Sequence, residues 1–280
     1  MIDCIVDGLI DTLKLMPYLL VTFIIIELLE HKLSKKNEKL LIKNKKYGPV
    51  IGSLLGALPQ CGFSTMASNL FSGKVITIGT LIAVFLATSD EMLPIMISEK
   101  VNIMLILKII GFKVIVGMIV GIIIDLLIRK DKDKVTSHIH DMCENDHCHC
   151  DKENIFVSSI KHTIKISLFI MVANIIINII IYKVGEDNLA NILLSKNLFT
   201  YFIASLFGLI PNCASSVIIT ELYLSKLITI GSLLAGLLPG SGIGILLLLK
   251  NNKNIKENIF IISIIYFVGV LLGILVDIII

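Results

Sequence analysis

Long apolar runs separated by short charged segments dominate the chain. A membrane-spanning helix needs about 20 predominantly apolar residues, and the chain contains eight runs of roughly that length or more. They cover residues 13–29, 47–71, 75–97, 101–128, 164–182, 199–224, 227–249 and 259–280. This pattern predicts an all-α, polytopic integral membrane protein with about eight to ten membrane segments, depending on how broken runs are counted.

Several runs are interrupted by residues that break helices. The interruptions are Pro59-Gln60-Cys61-Gly62, residues 88–91, Pro211-Asn212-Cys213 and residues 239–242. Proline removes a backbone donor and clashes with the preceding turn, and hydrocarbon cannot satisfy the backbone groups that a break leaves free. We therefore expect discontinuous or re-entrant helices. In the run 101–128, Lys108, Gly111 and Lys113 favour an interfacial first part and a crossing that begins near Val114.

The second half of the chain repeats the first at a constant offset of 152 residues, without gaps. Between Gly56 and Ser89, fourteen of 34 positions are identical to their counterparts. The identities include Gly56 with Gly208, Pro59 with Pro211, Cys61 with Cys213, Lys74 with Lys226, Thr77 with Thr229 and Gly79 with Gly231. Secondary transporters build sites at the bilayer midplane from such repeats. The predicted organisation is an N-terminal membrane repeat (1–128), a His/Cys-rich linker (129–154) and a C-terminal membrane repeat (155–280).

Basic residues bear on the relative orientation of the repeats. If both Pro-x-Cys runs are re-entrant, each half crosses the membrane an odd number of times and the repeats are inverted. The basic segments 31–46, 129–134 and 250–256 then all lie on the cytoplasmic side, in agreement with the positive-inside rule. If both runs cross fully, the repeats are parallel and residues 129–134 lie outside. The charges favour inverted repeats with a cytoplasmic linker.

Composition narrows the classes of function. Hydrophobic residues make up 55% of the chain, and the net charge is only +3. The sequence has no basic groove with interleaved aromatic residues, so nucleic acid is a poor candidate partner. It has no P-loop to indicate ATP as the energy source, and no nucleophile–base pair to indicate an enzyme. Asp3, Asp7 and Asp11 are not typical of a cleaved signal peptide. We expect a retained first helix and a multi-pass protein of the plasma (inner) membrane.

Cys61 and Cys213 are the first candidates for a binding site, because each follows a helix-breaking proline at equivalent positions of the repeat. Thiolates suit soft ions such as copper(I), zinc or, by extension, trivalent arsenic, and a helix N-terminus or a nearby cation favours the thiolate. The same segments supply amide oxygens and, three residues after each cysteine, hydroxyl groups: Gln60 and Asn212, and Ser64 and Ser216. The alternative is that both cysteines are small buried hydrophobes.

Asp90 and Glu91 are adjacent carboxylates inside the third apolar run. Charges in the membrane are costly and are associated with function. Helical residues 75–87 would span only about 20 Å of the roughly 30 Å hydrocarbon core, so the pair is expected within the membrane, beside a cavity. With Ser89 before them, the carboxylates could coordinate a divalent cation or carry a proton for antiport. Gly242 replaces Asp90 in the second repeat. The alternative places the pair at the membrane surface.

The linker is rich in residues that bind metals. Seven histidines and cysteines lie between residues 138 and 150, among three carboxylates: His138, His140, Cys143, His147, Cys148, His149 and Cys150. Such a tract can bind zinc or a similar ion. The spacing matches no single zinc-finger pattern, so metal sensing or delivery is more plausible than a fixed structural site. The alternative is a solvated linker whose ligands are incidental.

The chain resembles a bacterial family of ten-helix heavy-metal exporters at residues 56–64, 88–91 and 208–213, which read GALPQCGFS, TSDE and GLIPNC. The likeness extends over essentially the whole chain, including a His-rich central loop. Members of this family are labelled arsenic efflux protein or manganese transporter. The resemblance implies an integral membrane permease with a metal or metalloid as its cargo.

The leading hypothesis is a permease that exports a heavy-metal ion or metalloid, working as a secondary transporter with its site at the repeat interface. The cargo would be a manganese-like divalent cation or an arsenic species, with protons as a candidate coupling ion and no cofactor. Two alternatives stay open. One is a membrane-bound metal sensor or chaperone that acts through the His/Cys loop, and the other is a permease for an organic solute.

Overall fold

The computed structural model describes residues 47–58, 61–89, 91–128, 155–184 and 198–279, with a few positions between residues 9 and 24. All regular secondary structure in these segments is helical, as predicted. From residue 47 onward the helices are α1 (Gly48–Gly56), α2 (Cys61–Ser72), α3 (Ile78–Ala87), α4 (Met92–Ser98), α5 (Ile103–Ile128), α6 (Ile155–Val184), α7 (Phe199–Gly208), α8 (Cys213–Leu224), α9 (Ile230–Leu237), α10 (Gly244–Asn251) and α11 (Ile255–Ile279). Most of the first apolar run lies outside the described residues.

Helix boundaries follow the 152-residue repeat. Helices α2 and α8 begin and end at positions that are 152 residues apart. The turn after each contains a lysine with a positive φ, 57° at Lys74 and 59° at Lys226. The other helices pair in the same way: α1 with α7, α3 with α9, α4 with α10 and α5 with α11. The repeat predicted from the sequence is therefore present in the fold.

The helices α1 and α2 form a re-entrant pair. Helix α1 runs parallel to α3, because Gly48 lies against Thr80 and Gly56 lies against Val84 and Ala87. If α2 continued in the direction of α1, its end would lie about 30 Å from the start of α3. Only residues 73–77 connect the two points, and five residues span about 20 Å at most. Helix α2 therefore turns back toward the side on which α1 begins.

Helices α3 and α4 form one discontinuous crossing, and α5 runs back beside them. The break at residues 88–91 separates α3 from α4, as predicted. Helices α3 and α5 are antiparallel, because residues later in α5 contact residues earlier in α3. The contacts are Gly121 with Gly79, Gly117 with Ala83, and Lys113 with Thr88. Helix α5 is continuous from Ile103 to Ile128. Lys113 does not mark an interfacial segment, because it is packed inside the bundle and is only 1% exposed.

An aspartate on each long helix fixes the start of a short one. Asp125 Oδ1 accepts a hydrogen bond from the Gly79 N–H (2.9 Å), and Asp125 Oδ2 accepts one from Thr77 Oγ1 (2.6 Å). Thr77 is also the N-cap of α3, since its Oγ1 accepts a bond from the Thr80 N–H (3.1 Å). The first N–H groups of a helix have no partner inside it, and a carboxylate at the N-terminus interacts favourably with the helix dipole.

The second repeat uses the same arrangement at the start of α9. Asp277 Oδ1 accepts a hydrogen bond from the Gly231 N–H (2.8 Å), and Asp277 Oδ2 accepts one from Thr229 Oγ1. Thr229 Oγ1 in turn accepts a bond from the Ser232 N–H (3.1 Å). The Tyr201 hydroxyl also donates a hydrogen bond to Asp277 Oδ2 (2.7 Å). Each half of the fold thus anchors its central short helix to its long one.

The long helices expose matching apolar stripes. The exposed residues are Ile115, Ile119, Ile123 and Leu127 on α5, and Phe267, Leu271, Leu275 and Ile279 on α11. Within the described segments, three runs are long and apolar enough to cross a membrane: Ile78–Ser98, Ile103–Ile128 and Ile255–Ile279. The first is 71% buried in the bundle, whereas the other two are 28% buried. Helix α3 therefore lies in the interior, whereas α4 buries only Met92 and Met96. Helices α5 and α11 present their apolar stripes to lipid.

Candidate functional site

The C-terminal ends of α3 and α9, one from each repeat, meet at the side chain of Lys113. Lys113 Nζ donates a hydrogen bond to the carbonyl of Thr88, the C-cap of α3. It donates another to the carbonyl of Leu237, the last residue of α9 (2.9 Å). The last carbonyls of a helix have no partner inside it. A buried cation on α5 therefore joins the two repeats at these helix ends, which we call the junction.

Helix lengths place the junction deep in the bundle. Helix α3 has 10 residues and α9 has 8, which corresponds to about 15 and 12 Å. Neither helix can cross the roughly 30 Å of a hydrocarbon core, so each ends part of the way through. All residues from Gly79 to Ala87 and from Gly231 to Leu237 are buried. The junction is therefore enclosed by protein on the described sides.

Two serines related by the repeat follow the helix ends. Ser89 Oγ donates a hydrogen bond to the Ala87 carbonyl (3.2 Å). Ser241 is fully buried, and its hydroxyl has no hydrogen-bond partner within the described segments. Because buried polar groups are normally paired, Ser241 leaves an unused hydroxyl close to the end of α9. Glu91 is half-buried immediately before α4, whereas Asp90 lies outside the described residues.

The candidate cysteines occupy equivalent positions, because Cys61 begins α2 and Cys213 begins α8. Their thiols, together with Pro59 and Gln60, lie outside the described part of the structure. Asn212 is 5% exposed and is the N-cap of α8, where its Oδ1 accepts a hydrogen bond from the Ala214 N–H (3.1 Å). The Asn212 amide thus has a capping role that the sequence pattern alone does not indicate.

Ser64 lies where α2 of the first repeat packs on α10 of the second. A Cβ on Gly244, the first residue of α10, would lie 2.9 Å from Ser64 Cβ. One turn along α2, Ser68 Oγ donates a hydrogen bond to the Gly244 carbonyl (2.7 Å). In the second repeat Ser216 lies on α8, which packs on α4, and is half-buried. Ser64 therefore belongs to a contact between the repeats, and Ser216 lies on a helix that makes another such contact.

The predicted ligands of the linker, His138, His140, Cys143, His147, Cys148, His149 and Cys150, lie in the segment 129–154, outside the described residues. Across the described ranges, no group of three or more His, Cys, Asp or Glu side chains is close enough to hold a metal ion. What these ranges bring together at the junction is an ammonium group, helix-end carbonyls and serine hydroxyls.

The sequence pattern does not assign a role to three charged residues that make structural contacts: Lys113, Asp125 and Asp277. A lysine inside an apolar run is costly and marks functional pathways, but Lys113 is also close enough to Lys108 to be assigned to an interface. Asp125 and Asp277 are 152 residues apart, so a comparison of the repeats extended to the ends of the two long runs reveals them.

Two repeats of apolar helices, with short helices that end inside the bundle, define a multi-pass membrane protein of the transporter type. The chain belongs to the family described as "Putative, 10TM heavy-metal exporter", whose sequence profile matches residues 1–184 and, in a second match, residues 151–280. The resemblance seen in the sequence motifs is thereby confirmed, and the two matches agree with an internal repeat. Comparison with curated proteins and with solved structures gave no match.

Proposed function

We propose that this chain exports a heavy-metal ion or metalloid across the plasma membrane as a secondary transporter, with the cargo bound where the two repeats meet. The observation that carries the proposal is the buried junction of α3 and α9. Discontinuous helices in transporters offer free backbone groups and helix-end charges to the cargo. The family supports an exporter of heavy metals, and a manganese-like divalent cation or an arsenic species is the candidate cargo.

Chain directions support inverted repeats. Helix α2 returns to the side on which α1 and α3 begin, and α10 continues α9 toward the side on which α11 begins. Helices α2 and α10 run in the same direction, because Ser64 lies beside Gly244 and Asn69 Oδ1 accepts a hydrogen bond from Asn251 Nδ2 (2.7 Å). Helices α1 and α11 would then begin on one side of the membrane, and α7 and α9 on the other.

This arrangement would account for ten membrane segments. Six are crossings: the first apolar run (13–29), α3 with α4, α5, α6, α9 with α10, and α11. Four are the re-entrant half-helices α1, α2, α7 and α8, and six plus four gives the ten of the family description. The basic segments 31–46, 129–134 and 250–256 would share the cytoplasmic side. Residues 129–154 would form a cytoplasmic linker between the membrane repeats 1–128 and 155–280.

The proposed site combines soft and hard ligands around the junction. Thiolates would suit a soft ion, and carboxylates and carbonyls a hard one. The starts of α2 and α8 would contribute Gln60, Cys61, Ser64, Asn212, Cys213 and Ser216, and the segment between α3 and α4 would contribute Ser89, Asp90 and Glu91. Ser241, whose hydroxyl has no partner among the described residues, joins this set from the second repeat.

Transport by the purified protein tests the proposal. Proteoliposomes would be loaded with Cd²⁺, Mn²⁺, Zn²⁺ or arsenite, and release would be followed against protein-free vesicles. We expect release of at least one of these four cargoes, and cells that express the protein should accumulate less of it. Absence of release for all four, with no change in the metal sensitivity of the cells, would contradict the proposal.

Replacement of both cysteines tests the thiolate ligands. In Cys61→Ser/Cys213→Ser we expect the KM for Cd²⁺ to rise by at least about tenfold, since even outer partners of a metal site contribute about 10–100-fold to affinity. Cys4→Ser, which removes a thiol outside the repeat motif, is the matched control and should leave the KM unchanged. Unchanged Cd²⁺ transport in the double variant would remove the thiols from the site.

A further inference from the structure

At the junction, where the proposed cargo would bind, negative and positive charges of the protein already offset each other. A helix C-terminus bears about half a negative charge, so the ends of α3 and α9 together carry about one. The ammonium of Lys113 compensates this charge through its bonds to the carbonyls of Thr88 and Leu237. The region is thus suited to cations, and one cation already belongs to the protein.

Only the first repeat supplies this cation. The position equivalent to Lys113 is Ile265, which is fully buried in the apolar core. By the same offset, the partners of a lysine at position 265 would be the carbonyls of Gly240 and Phe85. Gly240 lies three residues after the end of α9, and Phe85 lies in the last turn of α3. The repeat therefore provides a second place from which an ammonium could reach the same two helix ends.

We propose that Lys113 is the resident cation of the transport site. Its ammonium occupies the helix-end carbonyls when no cargo is bound, and it moves aside when a cargo cation takes them. This inference rests on the proposed function. Its consequence concerns the empty carrier: an uncompensated buried charge is costly, so the empty site can change its orientation only while Lys113 compensates the helix ends. The loaded site does not need Lys113, because the cargo itself supplies the positive charge.

Two transport modes separate this role from a structural one. Cadmium exchange, in which radioactive Cd²⁺ inside the vesicle is replaced by Cd²⁺ outside, needs only the loaded carrier. Net efflux into a medium with a Cd²⁺ chelator also needs the return of the empty carrier. In Lys113→Gln we expect net efflux to fall by about tenfold or more, within the range typical of coupling between sites, while exchange persists with a lower KM for Cd²⁺. Lys108→Gln, an exposed lysine of the same helix, is the control and should keep both modes.

An exchange of the two equivalent residues provides the second test. Lys113→Ile/Ile265→Lys places the ammonium on α11 instead of α5, at the same pair of helix ends. We expect the double variant to recover net efflux that Lys113→Ile alone has lost. Recovery would show that the charge at the junction matters and not the particular helix that carries it. Folding of each variant is checked by size-exclusion chromatography, and if Lys113→Gln is not recovered as a folded protein, the double variant decides.

Several results would overturn the inference. Wild-type net efflux in Lys113→Gln would do so, as would the joint loss of exchange and net efflux in a folded Lys113→Gln protein, or a folded double variant without net efflux. If the wild type releases arsenite, which is uncharged near neutral pH, but none of Cd²⁺, Mn²⁺ and Zn²⁺, the inference fails while the proposed function stands. If it releases none of the four, the proposed function itself fails.

Discussion

The central short helices of the two repeats are α3 and α9. The repeats agree at the outer ends of these helices, where each helix starts, and differ at the inner ends, which meet at the junction. At the outer ends, Asp125 binds the start of α3 and Asp277 binds the start of α9, through the same types of donor. At the inner ends, Lys113 of the first repeat corresponds to Ile265 of the second. The carboxylates Asp90 and Glu91 correspond to Gly242 and Ile243.

This difference separates the scaffold from the site. Contacts that hold a short helix against a long one are needed in both halves, so both copies retain them. A cargo lies between the halves and touches both, and its charge has to be balanced only once. Charged groups confined to one copy are therefore expected at a shared central site, and buried charges without a balancing role would be costly. The following predictions test whether the scaffold is equivalent in the two halves and whether function is confined to the junction.

The largest effect is expected where the long helices contact the short ones at glycines. A Cβ on Gly117 would lie 2.7 Å from the Ala83 carbonyl oxygen, and a Cβ on Gly269 would lie 2.9 Å from the Ala235 carbonyl oxygen. Backbone cannot yield as a side chain can, so we expect Gly117→Val and Gly269→Val each to destabilise the fold by about 3 kcal/mol, the upper part of the range for overpacking. Thermal unfolding in detergent measures the effect.

A control variant lies on the same helix. A Cβ on Gly111 of α5 would have no atom within 4 Å, so Gly111→Val should cost much less than Gly117→Val. Equal losses at Gly117 and Gly269 would support an equivalent scaffold. A stable Gly117→Val protein beside an unstable Gly269→Val protein would show that the two halves are not held together in the same way.

A smaller effect is expected at the aspartate anchors. Loss of a polar N-terminal partner of a helix costs about 0.5–2 kcal/mol, so Asp125→Asn and Asp277→Asn should each lower the melting temperature modestly. About 1 kcal/mol of the cost of Asp277→Asn should come from one bond, because Asp277 also accepts a hydrogen bond from the Tyr201 hydroxyl (2.7 Å). The position equivalent to Tyr201 is Pro49, which has no hydroxyl.

The variant Tyr201→Phe sharpens this comparison. In a Tyr201→Phe background, Asp277→Asn should cost about 1 kcal/mol less than in the wild type, because this donor is then absent. An equal cost in the two backgrounds would mean that the Tyr201 bond adds nothing to the anchor. Thermal unfolding of the single and double variants under one set of detergent conditions gives the comparison directly.

The parts of the fold that were predictable depend on local signals. Proline at positions 59 and 211 breaks a helix whatever surrounds it, and the described helices stop at Gly56 and Gly208 and resume at Cys61 and Cys213. The offset of 152 was visible because Gly, Pro, Cys, Lys and Thr matched in register. Breaks, repeat and helix content could therefore be read from neighbouring residues.

The junction could not be predicted because it depends on contacts between distant parts of the chain. Lys113 donates to a carbonyl that is 124 residues away, in the other repeat. Hydropathy gives a lysine in an apolar run the same value whether it lies at a membrane surface or between two helix ends. The capping role of Asn212 was missed for a different reason, since an amide after a proline fits a cargo ligand and an N-cap equally well.

The smallest effect on transport is expected from the linker, which has no counterpart in either repeat. All described groups of the junction belong to membrane helices or the breaks between them, so replacing residues 138–150 by a Gly/Ser segment of equal length should change Cd²⁺ transport by no more than about twofold, as for a surface change. The same variant should bind less Zn²⁺ in equilibrium dialysis, because it lacks the histidines and cysteines of this tract. Complete loss of transport with Cys61 and Cys213 intact would instead assign the function to the linker, and the protein would then be a metal sensor or chaperone whose membrane repeats are secondary.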